Sequence, residues 1–186
     1  MTITWEQVLA FLGTDQTMSI TSLLFVVFFA AAALIHYALP RVARPYFLLV
    51  ASYVFFCYDP VNRPLVWVLL GATLLTWLCG LVIGRSKNRA VRLVFLLAAI
   101  AGGVGVLLYY KYWNLLADSL GGGLLARREN LIAPLGLSYF TFAALSYTID
   151  VYKRRCLVST NPFHYALFVS FFTTLINGPI ERYLQL

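Results

Sequence analysis

Apolar residues are grouped in six long blocks along the chain, and short polar segments separate these blocks. The blocks occupy residues 20–39, 46–58, 65–83, 91–110, 131–149 and 163–178. Runs of this kind are typical of helices that cross a bilayer, because a crossing needs roughly 20 apolar residues. Strands of a membrane barrel would instead alternate apolar and polar positions. The pattern therefore predicts an all-α fold, a polytopic transmembrane helix bundle of about six spans.

Two parts of the pattern are less regular than the rest. Residues 4–12 have apolar positions at helical spacing, which predicts a short interfacial helix on the membrane surface; a tail without fixed structure is the alternative. The second block is short and could run into the third through turns at Asp59-Pro60 and Arg63-Pro64. We accordingly divide the chain into an N-terminal interfacial segment, 1–19, and a transmembrane portion, 20–186.

The composition excludes an ordinary soluble domain. Hydrophobic residues make up 61% of the chain and charged residues only 11%, whereas soluble domains carry about 25% charged residues. The net charge of +7 could suggest nucleic acid. The basic residues, however, lie in short clusters between apolar blocks and form no stripe with interleaved aromatics. We therefore expect the lipid bilayer to be the main partner, and we expect no nucleic-acid partner.

The basic residues also alternate between successive loops, as the positive-inside rule requires. An N-terminus on the outside places nine of the 14 Lys and Arg residues in inner loops. These nine are Arg41, Arg44, Arg85, Lys87, Arg89, Arg92, Lys153, Arg154 and Arg155. Charge was not used to delimit the blocks, so it supports the outside N-terminus and the six crossings independently.

The chain shows no pattern of metal-ligating or nucleophilic residues. Cys57, Cys79 and Cys156 have no CxxC spacing, so they indicate neither a disulfide framework nor a metal site. His36 and His164 have no partner at metal-ligand or catalytic spacing. Motifs of nucleotide-binding proteins, serine hydrolases and zinc proteases are absent from the sequence. We expect no bound metal or cofactor.

The fifth block differs from the others because it carries many polar side chains. They are Ser138, Tyr139, Thr141, Ser146, Tyr147, Thr148 and Asp150. Polar groups are costly in lipid, so this helix is expected to face protein or water on more than one side. Pro134 and Gly136 predict a broken or tilted entry into the helix. The alternative is that the hydroxyls bond to neighbouring helices or to carbonyls of their own helix.

The last block ends at a breaker, Asn177-Gly178-Pro179, followed by the charged pair Glu181-Arg182. Alone, this pattern is weak evidence for a functional site, because an ordinary helix end followed by solvated charges explains it.

Three motifs carry a resemblance to a known family. They are LLVASYVFFCYDP from Leu48, LGLSYFTFAALSYTIDVYK from Leu135 and NGPIERY from Asn177. They resemble the membrane-bound O-acyltransferase family, in its bacterial branch of alginate O-acetylation and D-alanyl-transfer membrane proteins. The likeness extends from about residue 20 to the end of the chain. One departure is Thr173, which stands where many relatives have a proline that would break the helix.

The resemblance implies a function for a longer relative. An acyl group, expected to be acetyl, would move from acetyl-CoA or an acyl carrier protein on the cytoplasmic side to a polysaccharide or lipid-linked acceptor outside. The protein would be multi-pass in the bacterial inner membrane and could work with a soluble or periplasmic acyltransferase partner. The alternatives are D-alanyl transfer to teichoic acid and a non-catalytic membrane scaffold or conduit.

The resemblance also limits what this chain is expected to do alone. Family members are usually much longer and carry their active-site histidine beyond the last motif, so we expect an N-terminal fragment with no catalytic residue and no activity of its own. Neither His36 nor His164 takes that place. The residues expected to line the substrate funnel are Ser138, Tyr139, Thr141, Ser146, Tyr147, Asp150, Gly178, Pro179 and Arg182.

Overall fold

A computed structural model gives the fold and describes residues 23–119, 128 and 132–177. All regular structure in these residues is helical, which confirms the all-α prediction. The helices are α1 (Leu23–Ala38), α2 (Arg44–Tyr58), α3 (Val66–Arg85), α4 (Arg89–Leu107), α5 (Trp113–Ser119), α6 (Leu137–Tyr152), α7 (Pro162–Ser170) and α8 (Phe172–Asn177). A π-helical turn, Leu108–Tyr112, joins α4 to α5. The predicted interfacial segment 1–19 lies outside the described residues.

Short polar side chains set the boundaries of several helices. The Asn88 side chain accepts a hydrogen bond from the amide of Ala90 (2.9 Å) at the start of α4, and Asn161 does the same for Phe163 (3.0 Å) at the start of α7. Such caps satisfy amides that have no partner within the helix. Asp59 accepts from the amide of Val61 (2.9 Å) in the turn after α2. This turn separates the second block from the third, so the two do not form one helix.

The core lies where α6 packs against α3 and α4, with α2 packed on α7 and α8 at its side. The largest fully buried side chains include Tyr147, Tyr165, Phe56 and Phe140. The rings of Phe28 and Phe172 meet edge to face at 5.5 Å and attach α1 to this side of the bundle. The helix with the most polar side chains thus occupies the centre of the packing.

Two glycines let α3 approach its neighbours closely. A Cβ at Gly80 would lie 2.7 Å from Cε1 of Tyr147 on α6, and one at Gly84 would lie 1.8 Å from Cγ2 of Val158. Their spacing is that of the small-xxx-small motif, which allows membrane helices to pack with their backbones near each other. The glycines therefore fix how α6 and the segment after it dock on α3.

Within the described residues, two helices are long and apolar enough to cross a membrane: Val66–Arg85 and the continuous helix Arg89–Ser119. Only 39% and 17% of their most apolar windows are buried within the protein. The rest of each window is not buried within the described part of the chain. Leu24–Ala38 is apolar but shorter. The count of six spans and the outside N-terminus stay predictions.

Contacts between loops divide the bundle into two ends. At one end the Arg92 guanidinium donates to the carbonyl of Tyr152 and lies 5.0 Å from the centre of its ring. At the other end the amide of Leu135 donates to the side chain of Asn62 (3.0 Å), and Lys111 donates to Ser138 (3.1 Å). The segments that follow α3 and α6 thus lie at one end of the bundle, and the segments that precede α3 and α6 lie at the other. Successive helices that run in opposite directions give this arrangement.

We expect Gly80→Ala to lower the free energy of unfolding by about 1–3 kcal/mol, because the added methyl group overpacks the fixed ring of Tyr147. Gly71→Ala is the matched control, since a Cβ there meets nothing within 4 Å. Denaturant unfolding in mild detergent, followed by tryptophan fluorescence, measures both. Equal stability of the two variants would contradict the close packing at Gly80.

Candidate functional site

The entry into α6 is bent at a left-handed glycine. Gly136 has φ +68° and ψ 14°, and a Cβ there would lie 2.6 Å from the carbonyl oxygen of Leu175. Only glycine adopts this conformation without strain. The amide of Leu135, just before it, is held by Asn62. The broken entry predicted from Pro134 and Gly136 is confirmed, and α6 begins at Leu137, several residues after the start of the apolar block.

Several polar side chains of α6 bond to their own helix. The hydroxyl of Thr141 donates to the carbonyl of Leu137 (2.7 Å), that of Thr148 to Ala144 (2.9 Å) and that of Ser146 to Ala143 (2.8 Å). Thr141 and Thr148 are buried in the core. Their arrangement is the alternative that the sequence left open, in which hydroxyls are satisfied locally rather than by a ligand.

Tyr147 forms a buried polar contact between α6 and the segment after it. It is fully buried, its hydroxyl accepts a hydrogen bond from the amide of Ser159 (3.0 Å), and its ring lies 4.6 Å from that of Tyr165. The indole of Trp77 donates to the carbonyl of Ser159 (3.0 Å). Both backbone groups of Ser159 are thereby satisfied by side chains. Tyr147 therefore holds residues 153–161 against α3 and α6.

The other polar residues of α6 lie on a less buried face, as their helical spacing predicts. Tyr139 is 38% exposed, while Ser146 and Asp150 are half-buried. Ser138, beside this face, accepts the hydrogen bond from Lys111. None of the described residues donates a hydrogen bond to the Asp150 carboxylate. Asp150 is therefore a charged acceptor on this face that has capacity left for a ligand.

The thiol next to Asp150 is unreactive. Burial and, to a smaller extent, the negative charge of Asp150 together raise the pKa of Cys156 to about 11. At neutral pH the thiol stays protonated, and a protonated thiol is a poor nucleophile. Cys156 therefore supplies no covalent acyl carrier at this end of the bundle.

The last apolar block is broken at Phe171, which separates α7 from α8. Phe171 has ψ 122°, so the next amide cannot reach its helical partner. The amide of Phe172 instead donates to the hydroxyl of Ser52 on α2 (3.3 Å). The break thus forms although Thr173, and not a proline, follows Phe172. Gly178, Pro179 and Arg182, the remaining candidates for the funnel, lie outside the described residues.

The two histidines lie on different helices. His36 lies near the end of α1, where its Nδ1 is buried without a partner in the described part of the chain. His164 is exposed on α7, with its ring 6.4 Å from that of Tyr46. Among the residues that the structure describes, no three His, Cys, Asp or Glu side chains come together to hold a metal ion.

Sequence reasoning missed several residues that build the site. Asn62, Trp77 and Arg92 join α6 and the segments on either side of it to other parts of the bundle. The available signal was weak: each places a polar side chain inside or beside an apolar block, Trp77 and Arg92 as donors and Asn62 as an acceptor. Nothing in the spacing identifies the distant carbonyl or amide that each one binds.

Comparison with known proteins gives a consistent set of relatives. The chain is 33% identical over 151 residues to the probable alginate O-acetylase AlgI of Pseudomonas aeruginosa, covering 77% of this chain and 28% of that protein. It is 30% identical over 159 residues to AlgI of Azotobacter vinelandii, covering 82% and 32%. The predicted resemblance to bacterial O-acetylases is confirmed. A peptidoglycan O-acetyltransferase of Helicobacter pylori is 26% identical over 165 residues, covering 75% and 31%.

The O-acetylase likeness concerns only part of each relative. The chain spans less than a third of the length of the curated relatives that it matches best. No family model matches the chain. No solved structure matches it either.

We expect Tyr147→Phe to lower the free energy of unfolding by about 1–3 kcal/mol, because it leaves the buried amide of Ser159 without an acceptor. The control, Tyr139→Phe, removes a hydroxyl from an exposed ring and should change the stability by less than about 0.5 kcal/mol. Unfolding in detergent measures both. A Tyr147→Phe variant as stable as the parent would show that the Ser159 contact does not hold the segment.

Proposed function

We propose that this chain is the N-terminal part of a membrane O-acetyltransferase that acetylates a cell-surface or exported polysaccharide. The observation that carries the proposal is the similarity, over about three quarters of the chain, to proteins named for O-acetylation of alginate and of peptidoglycan. Because the chain spans less than a third of their length, we propose that further residues complete the catalytic unit and supply its histidine. The chain alone is then inactive.

The proposed location is the bacterial inner membrane, with six spans and the N-terminus outside. The exposed apolar surfaces of Val66–Arg85 and Arg89–Ser119 support it. So does the charge at one end of the bundle, where the contact between Arg92 and Tyr152 brings two basic loops together. Their basic residues are Arg85, Lys87, Arg89, Arg92, Lys153, Arg154 and Arg155. Positive loops of this kind stay on the cytoplasmic side.

The basic end is the proposed side of the acyl donor. Acetyl-CoA carries phosphates and acyl carrier proteins are acidic, so a cluster of Lys and Arg attracts either of them. Acetyl-CoA and an acyl carrier protein stay the two alternative donors that the resemblance implies. A periplasmic acyltransferase partner at the opposite end stays a prediction from the resemblance.

The proposed substrate passage runs along the less buried face of α6. Tyr139, Ser146 and Asp150 lie on this face, with Ser138 beside it, whereas Thr141 and Tyr147 support the wall from within the core. Gly178, Pro179 and Arg182 remain part of the proposal by resemblance. Asp150 would accept a hydrogen bond from the donor or from a histidine supplied by the rest of the protein. The relatives' names favour acetyl over D-alanyl as the transferred group.

The test uses the complete gene product in cells that lack their own copy. Asp150→Asn should lower the acetyl content of the polysaccharide about 10-fold or more, since it removes the charge from a hydrogen-bonded contact. Asp118→Asn, at the opposite end of the bundle, is the control and should leave acetylation near the parent level. NMR of the purified polymer measures acetyl esters, and immunoblots of membranes check insertion.

Two results would contradict the proposal in different ways. Unchanged acetylation with Asp150→Asn would remove Asp150 from the passage. A complete gene product that acetylates no polysaccharide in any strain tested would remove the function itself.

A further inference from the structure

An exposed arginine is fixed between two aromatic rings at the end of the bundle away from the basic loops. The residues concerned are Tyr109, Trp113, Asn114 and Arg128, named here the Arg128 cluster. The Arg128 guanidinium carbon lies 5.3 Å from the centre of the Tyr109 ring and 5.1 Å from that of Trp113. Both contacts are within the range of cation–π attraction.

The position of Arg128 is fixed by its backbone as well as by its side chain. The Asn114 side chain accepts a hydrogen bond from the Arg128 amide and donates one to its carbonyl, both at 3.0 Å. The guanidinium donates to the hydroxyl of Tyr109 (2.6 Å). Three hydrogen bonds and two cation–π contacts from one helical stretch thus hold a single residue that remains exposed.

The π-helical turn Leu108–Tyr112 presents the rings to Arg128. Tyr109 and Trp113 are four residues apart, and their ring centres are 5.8 Å from each other on the same side of the helix. Turns of this type are wider than an α-helical turn and are frequent at functional sites. The turn lies where the long helix leaves its most apolar part.

Arg128 keeps most of its hydrogen-bonding capacity. A guanidinium has about five N–H donors in a planar fork. Among the described residues it donates only to Tyr109. The remaining donors suit a carboxylate, which binds two of them side by side. The side chain is already ordered, so a ligand loses less of its binding energy to side-chain entropy.

The depth of the Arg128 cluster places it at the outer water boundary. Arg89–Ser119 has 31 residues. At 1.5 Å per residue it is about 46 Å long, whereas the hydrocarbon core is about 30 Å thick. With Arg89 at the inner boundary, Tyr109 lies about 30 Å along the axis and Trp113 about 36 Å. The cluster is therefore within reach of a polymer outside the membrane.

We propose that the Arg128 cluster binds an anionic sugar unit of the exported polysaccharide, with the guanidinium on its carboxylate and an aromatic ring against its C–H face. The inference rests on the proposed function for the identity of the polymer, and the chemistry it requires is an acidic sugar, such as a uronic acid, that has both a carboxylate and an apolar ring face. An anionic lipid headgroup offers the same oxyanion but no such face. The pairing of a fork with two aromatic rings favours the sugar.

The test measures binding without acyl transfer, so it is independent of whether the protein is active. The complete protein is placed in nanodiscs of phosphatidylcholine and titrated with a hexamer of 1,4-linked uronic acids, using calorimetry. Arg128→Gln should weaken binding about 10-fold or more, because a charge-assisted contact is lost. Arg128→Lys should weaken it by several-fold, since lysine keeps the charge but not the fork.

Arg63→Gln is the matched control. It removes a guanidinium from the same end of the bundle, where Arg63 donates to the carbonyl of Cys57 and contacts no ring of the described residues. It should change the dissociation constant less than about twofold, as expected for a distant exposed charge. Thermal unfolding of each variant verifies that it is folded. If Arg128→Gln does not fold, Arg128→Lys still tests the proposal.

The outcomes separate the sugar from the lipid. The proposal requires that the uronic acid hexamer binds and that a glucose hexamer binds at least several-fold more weakly. It also requires that the Arg128 variants reduce this difference in affinity between the two hexamers. Equal binding by the parent and both Arg128 variants would overturn it. So would Arg128-dependent retention of phosphatidylglycerol with no binding of the uronic acid hexamer, which would assign the cluster to a headgroup.

Discussion

The fold depends on one constraint: its helices are apolar, so most polar groups packed between them must find partners within the protein. The long helix Arg89–Ser119 is mostly uncovered by the rest of the chain. Within the bundle, threonine and serine hydroxyls bond to carbonyls one turn away, and helix ends are capped by Asn88 and Asn161. The packing is therefore arranged around the satisfaction of polar groups as much as around apolar contact.

The same constraint explains why α6 is central. Its entry is bent at Gly136, its core side is held by the contact between Tyr147 and Ser159, and its other side leaves Asp150 without a partner among the described residues. A helix at the edge would expose these groups to lipid at a high cost. In the centre, the core side of α6 gives rigidity and the half-buried side keeps acceptor capacity for a substrate. The core side of α6 thereby stabilises the fold, and its half-buried side is the one proposed to contact the substrate.

Much of this could be predicted from the sequence. The apolar blocks correspond to helices, and Pro134 and Gly136 indicate the bent entry correctly. The break at Phe171 and the roles of Trp77 and Tyr147 could not be predicted, because each depends on a partner far away along the chain. Phe172 binds Ser52, and Trp77 binds Ser159. Spacing within one helix reveals a shared face, but not whether that face meets the core or a passage. For this reason Thr141 and Tyr147 were grouped with Tyr139 and Asp150, although the first two are buried.

Sidedness in the membrane is the most direct test of the central claim. Alkaline phosphatase, which is active only outside the cytoplasm, can be fused after Lys87, Lys153, Val61 and Asn114 in turn. The account predicts inactive fusions after Lys87 and Lys153 and active fusions after Val61 and Asn114, all of them in the membrane fraction. Activity after Lys87 or Lys153, or recovery of the chain as a monodisperse species in buffer without detergent, would contradict it.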